Sequence, residues 1–503
     1  MKNLVLVLLV TFSFISVKGQ TYFDVDFGND SSTNTIGGFI YEFPDTSGYL
    51  AVGAAPIIDS RYLMFIRLDE LGDTIWTKMY GVPNLARTNN GGKYINEGDS
   101  NIIFSGVLYT DSVAPISPDT SLAMLYKIDT AGNMIWERYY GDTTKQTVAL
   151  DVQKARSGYI ITGWTSGWGA GTANSFLLKV DDLGNEEWKK IYFIPSGISD
   201  GSSSVDTTDD GGYIISGSVN YSSPTNLNDM FVLRTDSLGN TAWVATYGGL
   251  NFDNSEAYIT KYSSNNYLLT GGIGLDLGNG LNSQTYLAKI DGQNGNVIWA
   301  DTSGIDQLNY HEGFVSNSII LNNGDILIIG YIIPVVNNPE VLLTKYNSNG
   351  IKLWERSFNK YQGNNSNYMY DVHETIDKGI ILTGNLTNLS IGEQRLWVLK
   401  LDSMGCDTIN CTVGIDDAST SLSIIGLKVY PNPSNTFINF ELPYNLNQIN
   451  AELRLFDITG KEIFVKMVNS YSTQLDVSYY PKGIYFYQLI NEKNSYSGKL
   501  VIN

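Results

Sequence analysis

Six tryptophans at steps of 60, 52, 55, 56 and 55 residues, a Gly turn opened by Asp or Asn before each, and a β-rich run ending in Gly upstream of that turn predict an all-β chain. The expected fold is a seven-bladed β-propeller closed by its N-terminal strand and followed by a small C-terminal β-sandwich. Composition agrees. Fifty Gly, 33 Tyr and 43% hydrophobic residues with only 17% charged describe a well-packed, turn-rich globular protein rather than a disordered chain or a coiled coil.

Residues 1–19 stand apart: Lys2 precedes an apolar run from Leu4 through Val17, and the small Gly19 offers a cleavage point before Gln20. This is the pattern of a secretory signal peptide, and the run is shorter than the ~20 residues a membrane span needs. No later segment reaches that length, so the mature chain is expected to lack a transmembrane segment.

The repeat unit reads in order as four short strands. In the third unit these are Val148–Lys154, Tyr159–Gly163, Ser175–Val180 and Glu187–Phe193, separated by Gly, Asn and Asp turns with no helical period. The turn Asp181-Asp-Leu-Gly-Asn185 has a defined chemistry. Asp can accept backbone amides two residues on, and Gly tolerates positive φ, so the chain reverses into the fourth strand. There Trp188, Lys190 and Tyr192 share one face, and the aromatic suits packing between adjacent sheets; the six tryptophans read as core.

A seventh unit starts near Tyr368 and runs through Leu396–Asp402 to Cys406, with Ile409 where a Trp belongs, so its fourth strand is missing. The mature N-terminus carries an orphan of that type, Tyr22–Gly28, which aligns with Ile75–Gly81 and puts Phe23 at the Trp position. That strand is expected to complete the seventh blade and protect the sheet edges. Export permits disulfides, and Cys406 and Cys411 allow a small local loop bridge near the end of the ring. A zinc site would need further ligands, which the neighbouring sequence does not supply.

The propeller is assigned to 20–411 and a Ser/Thr/Asp-rich linker to 412–426. Residues 427–503 form a separate β-domain. Its signature is Val429-Tyr-Pro431-Asn432-Pro433, Leu455-Phe-Asp-Ile-Thr-Gly460-Lys461, Gly483-Ile-Tyr485 and a terminal Lys499-Leu-Val501. In combination and order these motifs resemble the C-terminal sorting domain of the type IX secretion system, a Gram-negative outer-membrane export route. The resemblance implies a β-sandwich recognised by the translocation machinery, often removed as the cargo is released or joined to surface lipopolysaccharide. The repeats themselves resemble secreted Trp-containing propellers, which implies no particular activity.

The formal charge of −19 is concentrated in residues 20–426, where 45 acidic residues face 23 basic ones. This argues against nucleic acid as a partner. His311 and His373 are the only imidazoles, and neither accompanies a Gly-x-Ser-x-Gly nucleophile elbow, so both read as surface or inter-blade residues. Asp151, Asp206, Glu256, Glu312 and Asp371 lie in or near the first strands that would line a propeller channel, as ligand-binding candidates or as an acid pair for a glycan-cleaving enzyme. The lone nonapeptide Gly271–Asn279 and the Gly-rich 167–171 read as loops. Nothing calls for a cofactor or a metal. The expected function is an exported, non-catalytic propeller that binds an extracellular protein or glycan; the alternative is an extracellular polysaccharide hydrolase or lyase.

Overall fold

The computed structural model describes residues 21–407 and 428–502, except 29–34, 58–59, 82–84, 89–93, 99–100, 110–119, 222–227, 249–256, 277–280, 304–310, 334–337, 361–364, 431, 433, 442–450, 458–460, 469–471 and 491–494. The chain divides into two compact units at residues 409 and 410. No helix occurs among the described residues; the architecture is a propeller-like series of antiparallel sheets.

Short strands alternate with Gly- and Asp-rich turns, which lets each set of four fold as a local meander. The first group is Ile36–Glu42, Tyr49–Ile57, Ser60–Leu68 and Thr74–Tyr80. The second has a divided first strand, Ala86–Thr88 and Tyr94–Asn96, followed by Asn101–Tyr109, Ser121–Asp129 and Met134–Tyr140. The third is Thr147–Lys154, Tyr159–Thr165, Asn174–Val180 and Glu186–Tyr192, within two residues of the bounds expected from sequence. The fourth is Gly197–Thr207, Tyr213–Tyr221, Asn228–Thr235 and Thr241–Tyr247. The fifth is Ala257–Ser263, Asn266–Asp276, Leu281–Asp291 and Val297–Ser303, and the sixth His311–Ile320, Ile326–Ile333, Glu340–Tyr346 and Lys352–Phe358. Single parallel pairings, Arg61 with Ala86 and Ser283 with His311, join the first group to the second and the fifth to the sixth.

The last group has three strands from its own stretch of chain, Asn365–Glu374, Ile380–Asn388 and Glu393–Leu401. Its fourth strand is the N-terminal Phe23–Phe27, antiparallel to Glu393–Leu401 with Phe23 opposite Lys400. Phe23 therefore stands where the repeated tryptophans stand: Trp76 faces Arg67, Trp136 Lys127, Trp188 Lys179, Trp243 Arg234, Trp299 Lys289 and Trp354 Lys345. The join is reinforced by charge. Lys360 pairs with Asp24 and Asp26, Arg395 with Asp26, and the Trp397 indole donates to Asp24 at 2.6 Å.

The turn chemistry is as the sequence requires. Asp181 Oδ1 accepts the amides of Leu183 and Asn185 at 2.9 and 2.8 Å, Asp236 repeats the pattern, and Asn347 and Asp402 do the same in their turns. Each turn glycine lies at φ between +74° and +87°, a region costly for other residues.

These glycines also carry the contact between groups. A methyl group added at Gly132, Gly184, Gly239, Gly295, Gly350 or Gly405 would lie 2.4–3.2 Å from the indole of Trp76, Trp136, Trp188, Trp243, Trp299 or Trp354 of the preceding group. At Gly72 it would lie 2.7 Å from the Phe23 ring. The seven contacts run from group to group and return to the start. Four are fastened by a tyrosine two turns of the pleat further on: Tyr80, Tyr140, Tyr192 and Tyr247 donate their hydroxyls to the carbonyls of Gly132, Gly184, Gly239 and Gly295.

The six tryptophans pack against the buried core as expected and remain half-buried, because they sit on outer strands and cover the neighbouring turn. The core is built by second and third strands such as Ile160, Ile161, Phe176, Leu177 and Leu178, all 0% exposed, and its one fully buried indole is Trp397, outside the repeated set.

In the second unit, Lys428–Tyr430, Phe437–Glu441 and Ser472–Asp476 form one antiparallel sheet. Glu462–Val468, Ala451–Phe456, Gly483–Ile490 and Ser495–Ile502 form another, in that spatial order. Ile438, Phe440 and Leu475 of the first sheet share one core with Leu453, Leu455, Tyr485, Leu489 and Leu500 of the second.

Gly239→Ala is expected to lower stability by about 2–3 kcal/mol, from the positive φ and the overlap with the Trp188 ring. A urea melt of the variant measures it, whereas Gly169→Ala, with nothing within 4 Å of the added carbon, carries only the cost of φ.

Candidate functional site

The first strands of the groups hold the acidic candidates, and a β-bulge aims two of them. Register shifts between Ala149 and Asp151 and between Met369 and Asp371 turn both carboxylates toward a neighbouring group. Asp151, 2% exposed, accepts the amides of Val205 and Val152 at 2.9 and 2.8 Å and the Ser204 hydroxyl at 3.1 Å. Asp371, 0% exposed, accepts the amides of Ile40 and Val372, both at 3.0 Å, and the Asn317 side-chain amide at 3.2 Å. Asp206 is half-buried and accepts the Lys261 and Thr207 amides at 2.8 and 2.7 Å. Each therefore ties one first strand to the next. Glu312 belongs to the strand His311–Ile320, its side chain not being among the described ones, and Glu256 lies outside the described residues.

His373 meets Asp371 at 2.9 Å through Nε2, and its ring centroid lies 5.0 Å from that of Tyr94. Desolvation, aided by the Asp371 charge, pushes the Tyr94 hydroxyl well above its ordinary value. Burial also raises the nearby Glu42 carboxyl, with Asp377 adding to it and the Ile376 amide opposing. Residues from the first, second and last groups thus converge on one imidazole. The side chain of His311 is not described.

A recurring basic residue escaped the sequence reading. Arg67, Lys127, Lys179, Arg234, Lys289, Lys345 and Lys400 each stand two places before the turn Asp or Asn, a spacing visible in the sequence. Lys400 is 0% exposed and pairs with Asp377; burial lowers its ordinary value while Asp377 opposes. Lys127 and Lys154 converge on Glu97, which also accepts from Tyr159. Burial alone would raise the Glu97 carboxyl, but these donors bring it down to about 2. Among the described residues, no group of three or more His, Cys, Asp or Glu could hold a metal ion.

In the second unit Asn432 does the work of a strand. Its Nδ2 donates to the Lys499 carbonyl at 2.7 Å and its Oδ1 accepts the Val501 amide at 2.8 Å, while the Ser434 amide donates to the Val501 carbonyl at 3.0 Å. The early and terminal motifs are thereby joined along the edge of Ser495–Ile502. Tyr485 is buried and donates to the Pro481 carbonyl at 2.7 Å; Gly483 opens its strand, and Lys499 is exposed. Pro431, Pro433 and Gly460 lie outside the described residues. Cys406 is disulfide-bonded; Cys411, the other cysteine of the chain, is also outside them.

Residues 428–503 match the family of the secretion system C-terminal sorting domain. This part of the chain is a type IX sorting domain, and it marks the protein for secretion, to the cell surface or into the medium, in a Bacteroidetes-type Gram-negative bacterium. The sorting tail is handled by the type IX secretion machinery, and among the described residues no helix is long and apolar enough to cross a membrane. No curated protein matches the chain. Among solved structures, a polysaccharide lyase Uly1 is similar at 12% identity and a TM-score of 0.42, over 78% of this chain and 94% of its own. A Trypanosoma rangeli sialidase in complex with the inhibitor DANA is similar at 7% identity and a TM-score of 0.41, over 86% of each chain.

Asp371→Ala is expected to cost about 2–4 kcal/mol in a urea melt, since it strands two buried amides, and Asp371→Asn less, since it keeps an acceptor. Asn432→Ala is expected to reduce the fraction of protein outside the cell, measured by blotting medium and surface fractions against whole cells. An unchanged fraction would count against a role for the Asn432 bridge in sorting.

Proposed function

We propose that residues 20–411 are a seven-bladed β-propeller released from a signal peptide at 1–19, tethered through a linker at 412–426 to a β-sandwich at 427–503. We further propose that the propeller is a non-catalytic module binding an extracellular glycan or protein. The observation that carries this reading is the use of the carboxylates: Asp151 and Asp371 are buried and committed to backbone amides. A carboxylate held this way serves as a staple between sheets, and proton transfer from it would release the amides it holds.

The binding surface is then the end of the groups opposite the Asp-x-x-Gly turns. The turns joining third to fourth strands have four or five residues throughout, while the connections from second to third strands range from two residues, 58–59, to eleven, 110–120. The larger variation at that end is where recognition on a repeated scaffold is usually carried.

One observation favours the enzymatic reading as a second possibility: the imidazole of His373, held by Asp371 beside Tyr94, has the make-up of an acid–base site. Incubating the secreted protein with a glycan array, an extracellular protein panel and chromogenic polysaccharide substrates separates the two. Binding without turnover is the expected result. Turnover abolished by His373→Ala would transfer the assignment to the enzyme.

A further inference from the structure

At the end opposite the Asp-x-x-Gly turns, where the sixth and last groups adjoin, four half-buried aromatic rings gather. Phe314 and Tyr331 are cross-strand partners whose rings stack at 4.6 Å with 2° between planes. Tyr331 meets Tyr368 edge-on at 4.9 Å and 85°, and Tyr368 lies parallel to Tyr370 at 6.5 Å and 5°. The architecture does not demand these rings. The same register position, one step before the bulge, pairs Gly201 with Ser218 in the fourth group and Ile36 with Ala54 in the first.

A polar atom without a partner lies on the same face. Asn385 is the cross-strand partner of Tyr368 and so shares its side of the sheet. It is 3% exposed, yet its Oδ1 atom accepts no hydrogen bond. An unsatisfied buried amide oxygen beside these rings points to a donor that arrives with a ligand or its ordered water. The Tyr370 hydroxyl lies by the Asn385 side chain, and Tyr368 and Tyr331 act on it electrostatically.

We infer that this junction is a binding subsite for a neutral pyranose residue of a glycan. Aromatic faces take the apolar C–H face of a sugar ring, while an amide oxygen and phenol hydroxyls match its hydroxyls without any charge. A uronic or sialic acid would approach a stretch, residues 20–426, that carries 45 acidic and 23 basic residues. The inference rests on the glycan arm of the function proposed above and adds the place and the class of sugar.

The test is an array of neutral and acidic glycans probed with the full-length secreted protein, the strongest binder then being titrated calorimetrically against Tyr331→Ala, Tyr370→Phe and Trp164→Ala. Tyr370→Phe removes only a hydroxyl, so it keeps the test valid should Tyr331→Ala fail to fold. The expected result is a neutral glycan whose affinity falls about tenfold in Tyr331→Ala and severalfold in Tyr370→Phe, with Trp164→Ala, at the third group, unchanged. A preference for acidic glycans, or a neutral one bound equally by both tyrosine variants, would overturn the subsite while leaving glycan binding in place. Silence across the whole array would overturn both.

Discussion

An aromatic ring seated on a glycine is the contact from which the first unit is assembled. The ring needs a flat bed, and only a residue without a Cβ at φ near +80° supplies one while also reversing the chain into the next strand. The turn and the inter-sheet contact are therefore one device. Its Asp fixes the turn by accepting amides, its Gly receives the indole, and its Gly carbonyl accepts a tyrosine hydroxyl from the same strand as the indole. This explains the sequence period: ring and glycine must recur together, because each group supplies the bed for the group before it and the ring for the group after it.

The cycle of contacts returns to its start only because the strand Phe23–Phe27 stands in for a missing last one. Phe23 is a smaller ring than indole, and the ion pairs of Asp24 and Asp26 with Lys360 and Arg395 supplement it. Bringing together residues 373 apart in sequence, as in the Asp24 to Trp397 hydrogen bond, is costly in chain entropy. A join of this kind forms late and benefits from charge pairs that act at longer range than ring packing. The sorting domain follows the last group in the chain, so it is synthesised only after every strand needed for the join exists.

The sequence made legible what is local or periodic. Asp181 to Asn185 could be read as a turn because its bonds span four residues, and Phe23 could be placed because strand pairing preserves the repeat's register. The tail was legible from motifs in fixed order. Less visible was anything decided by a partner in another group. Asp151 and Asp371 look in sequence like acids on a channel wall; a one-residue bulge before each turns them onto the amides of Val205 and Ile40. The repeated tryptophans look like core because they are large and evenly spaced, yet outer-strand placement leaves them half-buried. The basic residue two places before each turn Asp was open to inspection, but its burial follows from the strand's position and not from its neighbours in sequence.

The two ends of the sheets therefore face different demands. At one end, turn, ring and basic residue are bound into a repeating network in which Lys127 and Lys154 share Glu97 and Lys400 holds Asp377; a change there propagates to the adjoining group. At the other end no such repeat is enforced. The position that carries Ser218 in the fourth group carries Trp164 in the third, Tyr331 in the sixth and Asn385 in the last. Side chains there can change without breaking the cycle of contacts, which is the physical condition for a scaffold to acquire a binding surface. The clustering of Phe314, Tyr331, Tyr368 and Tyr370 beside the unsatisfied Asn385 amide oxygen lies where the fold leaves residues free to serve a ligand, and stability alone gives no reason for that oxygen to remain unpaired.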